Sequence, residues 1–385
     1  MIKLWKAVIF LADTAQLKQG QTIGIIGGGQ LGQMLVLSAK AMGLKTIILD
    51  PDATCPAGQA ADAQIVAPYD DLLALEELAK RSDVLTYEFE NVDLATLEHL
   101  TDAKLLPQGT KLLQITKNRL AEKAFLHEHG LKTAPFRAVN TRVELEQAVA
   151  QLGFPSILKT CEGGYDGKAQ FTLKEEADLD VASELLAQGP CILEGFVNFS
   201  LECSVMVARN AKGEVTVFPV SENVHRDHIL HESIIPARIT SKEHKKAQTI
   251  AIKIAQSLNL RGILGVELFV EPNGEIYVNE LAPRPHNSGH YSIEACNFSQ
   301  FDIHNRAVMN WPLPKIELLK PAIMVNILGQ HKALSEDLIA RKPQWHFHDY
   351  GKKDVRVDRK MGHITILTDD LEQTLAEIKA TQVWD

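Results

Sequence analysis

Hydrophobic and polar positions change period several times along the chain, and each change predicts an element. From Gln21 a short apolar run, TIGII, meets a glycine turn. Apolar residues then recur at helical spacing before a second apolar run ends at Asp50. A further strand, DVLTYEFENV from Asp83, carries Glu88 and Glu90 on one face by simple alternation. Thr116 to Phe136 reads as a capped helix stopping near Gly130, followed by a proline-bearing extended segment. In FPSILKTCEGGYDGKAQF an apolar strand bears Lys159, a loop holds Gly163, Gly164 and Gly167, and a second strand runs from Lys168 to Phe171. PCILEGFVNFSLECSVMVAR alternates as two strands joined at Asn198-Phe199-Ser200. Ser241 to Gly262 has Ile250, Ile254 and Leu258 at helical spacing, and SIEACNFSQFDIHNRAVM reads as one more helix. Between these helices, Val266 to Val270 and Glu275 to Leu281 flank Pro272-Asn273-Gly274, a hairpin turn. Past a linker at Trp311-Pro312-Leu313-Pro314 come a strand from Pro321, a basic tract and a closing helix to about Lys379. Strands and helices interleaved in this way predict an α/β protein.

Composition bounds the class. At 385 residues, 45% hydrophobic and 23% charged, the chain can bury large cores and divides into two or three domains. Its 40 basic and 49 acidic residues give a net charge of −9, which argues against nucleic acid as a partner. Cys55, Cys161, Cys191, Cys203 and Cys296 show no C-x-x-C spacing, which argues for a reducing cytoplasm rather than a zinc site or disulfide framework. No apolar run is long enough for a membrane span. Residues 1–20 form an extension of undecided role.

The chemistry concentrates in the hairpin. A two-residue turn on Asn273-Gly274 sets Glu267 opposite Glu280, and a four-residue loop leaves them diagonal. Both registers put the two carboxylates on one face. Their repulsion favours a hard cation held jointly with nucleotide phosphates, and magnesium, with manganese as a substitute, fits better than calcium in an all-protein cage. After Glu280, prolines on both sides of Arg284 stiffen a segment whose next residues, His286 to His290, nearly all form hydrogen bonds, which suits a small anion. Three glycines within five residues make Gly163 to Gly167 a poor rigid hairpin and a good flap over phosphates. Gly27-x-Gly29-x-x-Gly32 with Asp50 satisfies the dinucleotide fingerprint and, taken alone, points to an NAD-dependent dehydrogenase. Glycine there nevertheless admits any phosphate to a helix N-terminus.

The order Glu267, Asn279-Glu280, Arg284 resembles the ATP-grasp superfamily. Together with GGYDGK, NELAPRPHNSGH and KDVRVDRKMGH, it resembles the N5-carboxyaminoimidazole ribonucleotide synthetases over about Thr22 to Leu367. The resemblance implies a Rossmann-like parallel-sheet domain (21–115), an ATP-grasp domain of two subdomains (116–310) and a small β-rich C-terminal domain (311–385). It implies an ATP-dependent ligase of purine synthesis in the cytoplasm, a homodimer, that carboxylates 5-aminoimidazole ribonucleotide with bicarbonate through carboxyphosphate. ATP would meet Arg119, Lys159, the flap Gly163, Gly164, Tyr165, Asp166, Gly167 and Lys168, the adenine-reading backbone at Glu194, Gly195, Phe196 and Val197, and Glu202, His225, Asn279 and Glu280. The ribonucleotide would meet Gly29, Gln30, Leu31, Glu88, Tyr165 and Asp166, its 5′-phosphate lying on Lys353, Arg356, Arg359 and Lys360. Arg284, His286 and Asn287 would place bicarbonate, and Glu267 and Glu280 would hold the metal. Ala169 departs from the family, where glycine is common. Formate-dependent phosphoribosylglycinamide formyltransferase, of similar layout, is the alternative.

Overall fold

The computed structural model describes residues 16–100, 105–163 and 169–384. Three sheets organise it. The first contains β1 (Thr22–Ile26), β2 (Lys45–Leu49), β3 (Ala63–Ile65) and β4 (Val84–Tyr87) in the order β3-β2-β1-β4, every pair parallel. Parallel strands covered on both faces read as unbroken apolar runs, and β4 is buried at all four positions. Helix Gln30–Ala41 buries Leu31, Leu35 and Ala39 against this sheet.

A second, antiparallel sheet has the order β5-β8-β6-β7, from β5 (Phe136–Val139), β6 (Ser156–Thr160), β7 (Gln170–Leu173) and β8 (Cys191–Gly195). Helix Arg142–Leu152 covers it through Leu145, Ala148 and Val149. The two strands joined at Asn198-Phe199-Ser200 part company here: β8 lies in this sheet and β9 (Leu201–Arg209) in the next, so the joint crosses between layers.

The third sheet has nine strands. It adds β10 (Val215–Val217), β11 (Ser221–Arg226), β12 (Ile229–Ile235), β13 (Gly262–Val270), β14 (Ile276–Ala282), β15 (Ala322–Leu328), β16 (His346–Asp349) and β17 (Lys360–Leu367), ordered β14-β13-β9-β11-β12-β15-β17-β16 with β10 on β9. The C-terminal strands therefore continue the central sheet through β12 and β15, where Ile234 faces Ile323 and Ile235 faces Ala322. Helix Ser241–Ser257 seals one face with Ala247, Ala251, Ile254 and Ala255. Thr240 caps it in a reciprocal box with Glu243, an arrangement worth about 1 kcal/mol. The segment read as one helix after Tyr291 is two, Ser292–Ala295 and Gln300–Val308. Ser299 accepts from the Asp302 amide and starts a new helix where the first ends. Among the described residues, no helix is long and apolar enough to cross a membrane.

Candidate active site

The acidic hairpin adopts neither anticipated loop. Pairing of Val270 with Ile276 leaves a longer connection in which Gly274 takes φ +81°, and the register then shifts between Glu267 and Leu268. That bulge restores the pairing lost at the loop, so Glu267 still lies directly opposite Glu280. It also breaks the alternation, so Asn279 and Glu280 are both half-buried, with Asn279 Nδ2 3.3 Å from Glu267 Oε2. Each acid already has a basic partner: His286 Nε2 lies 3.2 Å from Glu267 Oε1, and Arg119 Nη1 lies 3.3 Å from Glu280 Oε2. Burial raises the Glu267 carboxyl pKa, but the hydrogen bond from His286, with further help from Asn279, outweighs it and holds it low.

Two lysines and one buried acid form the nucleotide side. Glu194 on β8 accepts from Lys159 on β6 at 2.7 Å and from Lys123, on helix Arg119–Glu128, at 2.9 Å. Burial alone would raise Glu194, yet Lys123 and Lys159 bring it down to about 2. Lys123 Nζ also donates to the Asn279 carbonyl at 3.2 Å, tying this pair to the hairpin. Asn118 caps the helix by accepting from the amides of Leu120 and Ala121. At the joint between sheets, Gly195 and Val197 are buried while the Phe196 ring is 51% exposed. Behind it, Phe199 stacks on Phe269 at 4.6 Å. Glu202 Oε2 lies 2.8 Å from His225 Nδ1. Burial opposes charge on that imidazole, and the carboxylate wins, raising its pKa.

The glycine turn is closed by the protein's own acids. Glu88 accepts from the amides of Gly29 and Gly32, both at 2.7 Å, and Asp50 accepts from the amide of Gly28 at 2.7 Å and from Tyr69 Oη at 2.5 Å. A Cβ on Gly29 would stand 2.6 Å from Glu88 Oε1, so glycine is needed here for the approach of a carboxylate. Leu31 is buried and Gln30 half-buried at the helix start. These pairings weigh against the dinucleotide reading, because the acid and the amides that would hold a pyrophosphate and ribose are already joined to other groups of the chain. Glu88 lies just past the end of β4. Burial raises its pKa despite the two amides.

Glu90, from the same segment, reaches the other side of the site and forms a two-pronged ion pair with Arg284, whose Nη2 is 3.2 Å from Glu90 Oε1. Burial raises Glu90, and Arg284 overrides this to leave it at about 2. The first sheet is thereby tied to the segment after β14. A cleft runs between them, lined by Glu90, Arg119, Cys161, Gly163, Glu280 and Arg284. The structure does not bring Asn287 to this cleft with its amide available. Asn287 and Asn326 on β15 exchange two hydrogen bonds at 3.0 and 2.7 Å, and Asn287 is 9% exposed.

The basic tract faces the glycine turn. Burial pushes the Lys352 ammonium down to about 8, with Arg359 and Lys360 adding to the shift and Glu88 opposing it. Arg356 Nη2 lies 2.7 Å from Asp354, and Arg359 Nη1 donates to the Asp354 carbonyl at 2.8 Å. Lys353 and Lys360 flank these residues, Lys353 exposed and Lys360 half-buried. Gly164, Tyr165, Asp166, Gly167 and Lys168 lie outside the described residues. Directly after them, Ala169 takes φ +57°, the left-handed region that glycine occupies freely. Sequence reasoning missed Lys123, Glu90 and Lys352 as site residues. In the sequence both read as ordinary lysines; Lys123 is set apart only by its tertiary pairing with Glu194, and Lys352 by the burial of its ammonium, which donates to the Lys360 carbonyl.

A parallel-sheet domain beside two antiparallel sheets, with paired acids and lysines meeting at a cleft, defines an ATP-grasp protein. In agreement, the ATP-grasp domain family matches residues 124–301, the ribonucleotide synthetase preATP-grasp domain residues 20–117, and the phosphoribosylaminoimidazole carboxylase C-terminal domain residues 322–377. N5-carboxyaminoimidazole ribonucleotide synthase of Bacillus subtilis (strain 168) is 49% identical over 365 residues, 95% of this chain and 96% of the relative. N5-carboxyaminoimidazole synthetase from Staphylococcus aureus, solved with ADP, has a TM-score of 0.92 at 46% identity, covering 95% of this chain and 98% of that one. The Aspergillus clavatus enzyme, solved with ADP and 5-aminoimidazole ribonucleotide, has a TM-score of 0.88 at 32% identity, with 95% and 98% covered. The chain belongs to the N5-carboxyaminoimidazole ribonucleotide synthase family.

Proposed function

We propose that the protein joins bicarbonate to the exocyclic amine of 5-aminoimidazole ribonucleotide, converting ATP to ADP and phosphate, as a ligase of purine synthesis. The observation that carries this reading is the facing pair Glu267 and Glu280, with His286 on one acid and Arg284 just beyond the other. The ADP bound to the Staphylococcus relative, and the ADP and ribonucleotide bound to the Aspergillus relative, supply the substrate classes.

Bicarbonate is a poor electrophile because negative oxygens shield its carbon. Transfer of the terminal phosphoryl group from ATP makes one of those oxygens part of a leaving group. The amine then attacks the carbon, or carbon dioxide released beside it, and phosphate departs. Lys159 and Lys123 hold positive charge at the phosphate side, and Arg119 reaches toward Glu280. Glu267 and Glu280 would hold a magnesium ion shared with the nucleotide phosphates. Two facing carboxylates suffice for that. Magnesium, when bound, neutralises phosphate oxygens during transfer. His286 and Arg284 orient bicarbonate, and Asn287 supports the segment from behind through Asn326. Glu88, the Gly29 to Leu31 turn and the basic tract from Lys352 to Lys360 receive the ribonucleotide. No side chain is required to form a covalent intermediate, so positioning and electrostatics carry the rate.

The five free, buried cysteines support a cytosolic setting. The homodimer that the family resemblance implies is open to sedimentation equilibrium. The decisive experiment measures ADP release with both bicarbonate and 5-aminoimidazole ribonucleotide, with either omitted, and with glycinamide ribonucleotide plus formate. Release only with the first pair is expected. Full turnover with formate would overturn the assignment.

A further inference from the structure

Four neighbouring strands carry one polar row. Glu280 on β14 faces Glu267 on β13, Glu267 faces Ser204 on β9, and Ser204 faces Ser221 on β11. Residues paired across strands share a face, so two acids continue directly into two hydroxyls. The segment after Arg284 lies over this row and touches it twice. His286 Nε2 is 3.2 Å from Glu267 Oε1, while His286 Nδ1 is 2.8 Å from Ser288 Oγ. Ser288 Oγ is in turn 2.6 Å from Ser204 Oγ, which is 2.8 Å from Ser221 Oγ. Ser204 and Ser288 are 0% exposed and Ser221 1%, so these hydroxyls satisfy one another rather than exchange with solvent.

We propose that Ser288, Ser204 and Ser221 are positioning residues: a hydroxyl chain that holds the His286 imidazole in the tautomer with its hydrogen on Nε2. The inference rests on the reading that His286 meets bicarbonate. A singly protonated imidazole that directs Nε2–H at a carboxylate must accept at Nδ1, and Ser288 is the donor within reach. The Ser288 oxygen then accepts from Ser204, and the Ser204 oxygen accepts from Ser221. Competing acceptors for the Ser221 hydroxyl, the Ser204 carbonyl and Asn223 Oδ1, are both 3.4 Å away and lose to the 2.8 Å contact. Ser288 and Ser204 thus each donate once and accept once, and Ser221 donates at the end of the chain, all in a single direction. The result is a ring edge that always presents a donor toward the acids and the anion beside them. An imidazole without this chain would spend part of its time with a lone pair facing bicarbonate, which repels it.

The test uses the full chain with ATP, magnesium chloride, 5-aminoimidazole ribonucleotide and varied bicarbonate. Ser288→Ala should lower kcat/KM for bicarbonate about tenfold and Ser204→Ala about threefold, the scale of one or part of one hydrogen bond. KM for ATP should change by less than about twofold, because the nucleotide side does not depend on this ring. The double variant should be no worse than Ser288→Ala alone, since breaking the first link disconnects the second. Ser335→Ala removes a buried serine hydroxyl that donates to the Lys332 carbonyl at 2.7 Å, and should leave the bicarbonate response unchanged. Multiplicative losses in the double variant, or an equal rise in the KM of ATP, would overturn the inference. If Ser288→Ala does not fold, Ser204→Ala combined with Ser221→Ala gives the same test of additivity. A wild-type protein whose ADP release ignores bicarbonate would overturn the functional reading, and the inference with it.

Discussion

Replacing Lys123 by methionine keeps most of the aliphatic stem and removes the charge, and the structure sets the size of the effect. Glu194 is held at about 2 against an ordinary value of 4.5, a difference worth about 3.4 kcal/mol at 1.36 kcal/mol per pH unit. Lys123 and Lys159 share that stabilisation, so losing one forfeits roughly half. The hydrogen bond from Lys123 to the Asn279 carbonyl adds about 1 kcal/mol, for a total loss of about 3 kcal/mol at pH 7. Lys159 still pairs with Glu194, which keeps the loss at the lower edge of the roughly 3–5 kcal/mol usual for breaking a buried pair. The sign with pH follows from the depressed carboxyl. Its contribution is complete above the unfolded value near 4.5 and is lost as pH falls from there toward 2, so the gap between variant and wild type should narrow over that window. A chain with several sheets need not unfold in one step, so the measurement is native-state hydrogen exchange on Arg119–Glu128 and Cys191–Gly195. Protection there should fall by about 3 kcal/mol while the first sheet is unchanged. A loss below about 0.5 kcal/mol, the range of ordinary surface substitutions, would refute the role given to this triad.

Three further outcomes are expected. Glu280→Gln should raise the magnesium concentration for half-maximal ADP release by about tenfold or more, measured by metal titration at saturating ATP, because one of two facing carboxylates is lost. Lys352 loses its proton near pH 8, so KM for 5-aminoimidazole ribonucleotide should rise as pH increases through that value, and Lys352→Arg should abolish the rise in a pH series. Ala169→Gly removes a Cβ from a left-handed position and should relieve about 1 kcal/mol of strain, read as increased protection of β7 by hydrogen exchange.

Local pattern made much of the molecule legible and left its long-range pairings hidden. Glycines, caps and alternation located the first sheet, the hairpin and the helix from Ser241. The hairpin shows where such reading ends. Both loops considered differ from the one formed, and the acids face each other because the bulge beside Glu267 compensates for the loop, a compensation that alternation alone does not encode. The glycine turn illustrates the other limit. Its composition is that of a phosphate loop, but Glu88 and Asp50 occupy its amides from 59 and 22 residues away. Arg284 meets Glu90 across 194 residues, and Asn287 meets Asn326 across 39, pairings that no periodicity reports.

The seam between β12 and β15 has a consequence for how this chain can be cut. Every residue of Ile229–Ile235 is buried, and its outer edge is covered by Ala322 to Val325. A protein ended before Ala322 would expose that apolar strand as a sticky template for other copies, so the segment from Ala322 onward is a structural partner of the catalytic sheet and not a detachable module. Fragments made for crystallisation or for domain exchange should break elsewhere.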